Sequence, residues 1–596
     1  MVSRPIGGPS RSARSTSLAA AAVLVLAVAP AVGCHTVLGL NDLTDRQADA
    51  GPVANNDAVG TTISSKVDLL LVVDDSASMG PKAAVFADLV ASLVRKLAVA
   101  DDMHIGVITT SLGSMGGDVC AESTNRRAHL VTRTRKGEPV ARAAGGFLQY
   151  GGGSDTTVDG LIDDTQRLVI GAGESGCGLE AQLESTYRFL VQPDPWLSIN
   201  VSGHERAEYV GIDSELIDQR KAFLRPDSLV VVVLVTDEDD SAVDPRSARG
   251  LGWGFMANKF PGTQPLRPDA KPTMPLPTSA CATDPRSPDC TSCALVKNCD
   301  ASDAACARLA SDTQCMTDDG LYGPTESQPN LRFFRMKQRF GIDPQFPISR
   351  YVDGFTKERV PNRDDEHPLV ADPAGFDVPG DYLGAASCTN PLFAESLPAA
   401  GEELCRRAKG RRGKELVLFA VLGGVPNDLI AARLETDGTS TSAPDWPHIL
   451  GADPASFDFR GQDPHMVQSI DPRPGLPPPS SVRGDNGKDP THGREWTTRG
   501  NDLQYACTFA LPLPLSCTSE DPSCDCAGPA NPPLCGPTVG AQLRAKVYPT
   551  IRELRVVQGL GERGFAGTLC PVVTADPFFV NVLADRAASR IAPRVR

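Results

Sequence analysis

Three short apolar runs constrain this chain most: Val67–Val73, Leu229–Val235 and Glu415–Val421. A strand with one face in water alternates polar and apolar residues, and these runs do not. They have strand length and, in the middle run, almost nothing but valine, so they belong on the inside of a sheet covered on both faces. Helical spacing fills the intervals. Phe86, Leu89, Val90, Leu93, Val94 and Leu97 place a helix over about Lys82 to Ala98, with Arg95 and Lys96 in its last turn, where cations suit the dipole. His104 to Thr110 reads as a second strand. Helices follow near Leu161–Val169 and Leu179–Leu190, and the chain ends in a helix near Tyr548–Leu560, a strand near Gly564–Leu569 and a helix over Pro577–Ile591. The alternation predicts an α/β fold, a doubly wound and mostly parallel sheet of Rossmann-like type with right-handed crossovers.

Long stretches interrupt this pattern. Ser111 to Gly153 is rich in glycine and reads as loop, and Asp445 to Pro537 carries no periodic segment. Because sheet elements recur after each excursion, residues 66–596 are expected to form one domain with disulfide-rich insertions at about 241–411 and 433–540.

The first 34 residues have the build of an export leader. Arg4, Arg11 and Arg14 precede an apolar core from Leu18 to Ala29, and Ala31-Val32-Gly33-Cys34 closes it. This resembles a bacterial lipoprotein signal, which implies a lipid on Cys34 and residence in the cell envelope, on the outer membrane or cell surface. Ala31 stands where such signals usually carry Leu, so secretion or a periplasmic location after ordinary cleavage is the alternative. Residues 35–65 are polar and aperiodic, a flexible tether. No later run is read as a bilayer span, so membrane attachment would be through the lipid anchor only. The formal charge of −15 disfavours nucleic acid as a partner.

The chemistry sits at strand ends. Asp74-Asp75-Ser76-Ala77-Ser78 follows the first strand directly, and Thr236-Asp237-Glu238-Asp239-Asp240 follows the strongest one. Open α/β sheets present ligands at the carboxyl ends of their strands. If both strands are central and parallel, Asp74 and Asp237 face one another, and carboxylates with serine hydroxyls are hard oxygen donors suited to Mg²⁺. The acids are read as unpaired by any local lysine or arginine, so they are expected to need a cation. Asp239 and Asp240 would add negative potential and could recruit Ca²⁺. The plainer alternative, Ser76 and Ser78 capping a helix and Asp237 opening a turn, requires two coincidences at two strand ends.

Together these motifs resemble the von Willebrand factor type A (VWFA) domain and its metal-ion-dependent adhesion site (MIDAS). The match is Asp-x-Ser-x-Ser at Asp74, Ser76 and Ser78, and strand-Thr-Asp at Thr236-Asp237. The resemblance implies a cofactor of Mg²⁺ (or Mn²⁺ or Ca²⁺), ligated by Asp74, Ser76 and Ser78, and by Asp237 directly or through water. It also implies a protein partner presenting an acidic side chain. The family's loop threonine has no counterpart in Gly173-Glu174-Ser175-Gly176-Cys177-Gly178, where Ser175 is the candidate hydroxyl.

Sixteen of the 17 cysteines remain after Cys34, an even number that suits disulfides in an exported chain. Cys120 and Cys177 lie on loops expected at the same sheet end and are assigned to each other. The six from Cys281 to Cys315 are read as three disulfides in preference to a zinc knuckle, and Cys524 and Cys526 as paired outward. Gly-x-Ser-x-Gly, His-Glu-x-x-His and phosphate-loop motifs are absent from the sequence, so no enzyme activity is assigned. His367, His448, His465 and His492 lie in Pro- and Asp-rich stretches and are read as solvated. The expected function is an exported, lipid-anchored protein-binding module with a cation-dependent adhesion-type site. The alternatives are a structural envelope protein with a degenerate site, or a hydrolase whose active site lies in the insertions.

Overall fold

A computed structural model describes residues 63–592. It omits parts of the excursions, chiefly 202–205, 257–275, 297–303, 323–330, 332–342, 372–376, 435–439, 477–494, 496–501, 519–523, 527–533 and 571–576, together with shorter stretches. The leader, Cys34, nearly all of the tether, Cys299, the Cys306 side chain and His492 lie outside the described residues. Residues Gly60–Arg596 form one compact unit.

The fold is α/β, built on a six-stranded, mostly parallel sheet. Its strands are β1 (Lys66–Val73), β2 (Asp102–Thr109), β3 (Leu148–Gly151), β4 (Leu229–Val235), β5 (Val417–Gly423) and β6 (Gly564–Thr568). They lie in the order β6-β5-β4-β1-β2-β3, all parallel except the edge strand β3, which runs antiparallel to β2. Every residue of β4 and β5 is buried, as their apolar sequences demand.

Among the described residues, the helices on the two faces include α1 (Gly80–Leu97), α2 (Val158–Gly171), α3 (Gln182–Leu190), α4 (Ser214–Phe223), α5 (Ile348–Gly354), α6 (Ile551–Leu560) and α7 (Pro577–Ala588). Strand periodicity sorts the core into two layers. Val67, Leu69, Leu71 and Val73 pack with apolar residues of α1, α2 and α7, whereas Leu70 and Val72 pack with those of α3, α4 and α6. The Ala77–Leu97 stretch is long and apolar enough to cross a bilayer by length and composition. Here its apolar side is part of the core instead.

The structure corrects several expectations. The stretch read as loop contains β3, a four-residue strand with one buried residue, too short to show a period. The second excursion, read as aperiodic, contains the strand Cys507–Ser516, which pairs in an antiparallel ribbon with Ala541–Val547 just beyond it. Pro512 and Pro514 interrupt its ladder, and the register shifts between Ala510 and Leu515, because proline has no N–H to donate. Cys507, Phe509, Ala545 and Val547 of the ribbon belong to the same core as α1 and α7. His367 is not solvated: it is buried, with Nε2 2.7 Å from Asp244 Oδ2 and Nδ1 2.8 Å from Gly380 O.

Seven disulfides occur among the described residues. Cys120–Cys177, Cys281–Cys290, Cys293–Cys315, Cys388–Cys405 and Cys507–Cys570 are joined by Cys517–Cys524 and Cys526–Cys535. Such a density is the chemistry of an oxidising compartment.

Candidate metal centre

Strand order decides where a site can form. In a sheet ordered 3-2-1-4-5-6, the crossovers diverge between the first and fourth strands, leaving a crevice at their carboxyl ends. β1 and β4 pair in register from Val67↔Leu229 to Val73↔Val235, so the residues that follow, Asp74 and Thr236, emerge side by side. The Asp74 backbone N–H donates to Val235 O (3.1 Å).

The two acidic loops interlock through hydroxyls. Asp74 Oδ1 accepts from the Ser76 N–H (2.8 Å), and Oδ2 accepts from Thr236 Oγ1 (2.7 Å). Ser78 Oγ donates to the Asp237 carboxylate (2.9 Å to Oδ2) and lies 3.4 Å from Ser76 Oγ. Asp74 and Asp237 are both wholly buried. Burial, and after it the neighbouring Asp237 carboxylate, push the Asp74 carboxyl up to about 7. Among the described residues, no three His, Cys, Asp or Glu side chains form a metal-binding group by themselves. Any oxygen cage here has to draw on the serine and threonine hydroxyls.

The acids are not free of basic residues, contrary to the expectation from local sequence. Lys82, in the first turn of α1 and 1% exposed, donates through Nζ to Asp237 Oδ2 and to Ser78 O (2.9 Å). Asp239 and Asp240 are structural. Asp239 Oδ1 accepts from the Arg552 N–H at the start of α6 (2.7 Å), and its Oδ2 accepts from Gln468 Nε2 (3.0 Å). Asp240 Oδ1 accepts from the Leu183 N–H in the first turn of α3 (3.2 Å), and Oδ2 from Arg552 Nε (3.1 Å). Their oxygens hold two helix ends and an arginine.

The third loop differs most. Ser175 is exposed, and its hydroxyl accepts from Arg126 Nη2 (3.1 Å). Five residues on, Glu180 is wholly buried, and neither carboxylate oxygen has a hydrogen-bond partner. Burial, then Glu238, Asp74 and Asp237, push its carboxyl well above the usual range. Its backbone is gripped on both sides: Glu180 O accepts from the Ser241 N–H (2.9 Å), and the next N–H, of Ala181, donates to Thr110 O (2.9 Å). Gln182 Nε2 donates to Thr236 Oγ1 (2.9 Å), extending the chain of hydrogen bonds to Asp74. Glu180 was invisible in the sequence, because one glutamate between Leu179 and Ala181 looks like any helix-start acid. The available signal was that Leu179, Glu180 and Ala181 are followed at once by the amphipathic α3.

Asp75 fastens this loop to the first one. Its backbone oxygen accepts from the Gly176 N–H (2.8 Å), and its Oδ1 accepts from Ser111 Oγ (2.8 Å), which itself accepts from the Cys177 N–H (2.8 Å). A Cβ on Gly176 would stand 2.3 Å from Ser111 Oγ and 2.6 Å from the Asp75 carboxyl, so the loop approaches this closely only with glycine there. The Cys120–Cys177 disulfide closes the same loop from outside, with Cα atoms 5.6 Å apart.

No family model matches the chain, and no curated protein matches it. Among solved structures, the pilus adhesin RrgA from Streptococcus pneumoniae is similar at 9% identity and a TM-score of 0.16, over 60% of this chain and 39% of the adhesin. The match thus spans about two fifths of that adhesin's length, and at this score it carries no weight for fold or partner.

Proposed function

We propose that the chain is an exported protein-binding module, anchored through Cys34, whose binding depends on a divalent cation at the carboxyl ends of β1 and β4. Mg²⁺ is the first choice, with Mn²⁺ or Ca²⁺ as substitutes. Asp74, Ser76 and Ser78 would hold the ion, and Asp237, already engaged by Lys82, would act through water. When bound, the cation offers an open coordination position to an oxygen of the partner, an acidic side chain in the domains this chain resembles.

The observation that carries the reading is that Asp74 and Asp237 follow adjacent strand ends, linked through the Ser76 N–H and the Ser76 and Ser78 hydroxyls, with the Thr236 hydroxyl on Asp74. A hydroxyl can turn its lone pair to a cation without leaving its place, and the donor set is all hard oxygen. A pull-down from envelope extracts with the full chain, in Mg²⁺ and in EDTA, tests it. A partner retained equally in both removes the cation from the binding step.

Lys82 favours a second reading, a structural envelope protein whose site is closed by its own ammonium group. Calorimetry of the EDTA-stripped protein with Mg²⁺ separates the two, since no heat of binding supports the closed site.

A further inference from the structure

The loop that lacks a suitable hydroxyl supplies a buried carboxylate instead. We infer that Glu180 is the third-loop ligand of the cation proposed above, standing in for the hydroxyl expected at Ser175. This rests on the cation-dependent reading of the site.

The argument begins with cost. A carboxyl buried without a hydrogen-bond partner is unfavourable in either protonation state, and native folds keep few of them. Glu180 has two such oxygens, neither reached by a donor. Its surroundings compound the problem, because its strongest electrostatic neighbours are acids, Glu238, Asp74 and Asp237. The backbone cannot swing it out. The Glu180 carbonyl is tied to Ser241, the next amide to Thr110, and the Gln182 side chain to Thr236. Three loops therefore hold an unpartnered oxygen pair on a segment joined to Asp74 through the Gln182 and Thr236 side chains.

Charge balance points the same way. Lys82 answers Asp237, and Lys546 partly answers Glu238. Asp74 and Glu180 are left without a basic partner, so the charge of one divalent cation is what would let both ionise. A site completed in this way holds its cation without help from a partner's carboxylate, whereas a loop hydroxyl would leave the ion with an unbalanced positive charge.

Glu180→Gln keeps the shape and removes the charge. Full-length wild type and E180Q are stripped with EDTA, then titrated with Mg²⁺, Mn²⁺ and Ca²⁺ by calorimetry, with thermal melts alongside. We expect E180Q to melt no lower than wild type in EDTA, which establishes that it folds. Its cation affinity should be weaker by about tenfold or more, since even residues outside the ligand set cost tenfold to a hundredfold. Ser175→Ala should bind as wild type does. E180Q binding with wild-type affinity overturns the inference while leaving the site itself standing. A wild type that binds none of the three cations overturns the parent reading as well.

Discussion

Lys82 Nζ donates to Asp237 Oδ2 from a position 155 residues away in the chain, and both side chains are buried. The ammonium therefore occupies the space where the β4 acid would otherwise face the first motif unopposed. Removing one partner of a buried pair leaves an uncompensated charge, which costs about 3–5 kcal/mol. Lys82→Met should lower the melting temperature in EDTA, and Mg²⁺ should restore more of the loss than it adds to wild type. Paired melts with and without Mg²⁺ measure this. A variant as stable as wild type in EDTA would mean that the pair contributes nothing.

Asp74 contributes a pH dependence to the empty site, beside Glu180 and Glu238, whose carboxyls burial also raises. Its carboxyl is raised from 3.8 to about 7. A raised carboxyl favours the fold at low pH, and the advantage is lost as pH rises from about 4 through about 7. In EDTA, stability should fall across that window, and Asp74→Asn should flatten this part of the profile. Mg²⁺ should stabilise wild type at pH 8, where Asp74 is charged, and leave Asp74→Ala unchanged. Urea titrations at several pH values give the comparison.

The buried His367–Asp244 pair works in the opposite sense. Although burial itself opposes the charged imidazole, Asp244 raises His367 above 6.5, and His367 in turn is the main group holding Asp244 below 3.8. Arg246 also faces both, lowering His367 and Asp244 alike, and the Tyr382 ring stands edge-on to His367. The histidine's contribution is full below about 6.5 and lost as pH rises through its raised value. The aspartate's is present above about 4 and lost as pH falls through its lowered one. His367→Gln should therefore cost most stability between about pH 4 and 6.5, and progressively less at higher pH. An equal loss at pH 5 and pH 9 would contradict the pairing.

The Cys120–Cys177 bond closes a loop of 57 residues. In the chain-entropy account, a loop of that length is worth on the order of 4 kcal/mol. The double variant Cys120→Ser/Cys177→Ser should lose stability of that order in denaturant titrations. It should also weaken cation binding, because Cys177 lies three residues before Glu180 on the loop that Asp75 and Ser111 hold. Unchanged cation affinity would show that hydrogen bonds alone position the loop.

The sheet was legible in the chain because a strand buried on both faces has no freedom to be polar. β1, β4 and β5 announce themselves, and the acids that follow β1 and β4 are placed by adjacency alone. The short edge strand β3 and the proline-interrupted ribbon were not legible, since each has too few buried positions to show a period. Half of the candidate centre was readable for the same reason as the strands: Asp74, Ser76, Ser78 and Asp237 lie within five residues of a strand end.

What tertiary structure alone decided is which groups answer those acids. Lys82 reaches Asp237, and Arg552 reaches Asp240 across 312 residues. Glu180, not Ser175, is the wholly buried residue of its loop, whose backbone is bonded to Thr110 and Ser241. His367 is buried against Asp244 although the four residues before it, Arg363 to Glu366, are all charged. Hydrophobic pattern is a local property of the chain and survives in the sequence. Electrostatic pairing depends on distances set by the crossovers, and it exists only once the sheet has brought those loops together.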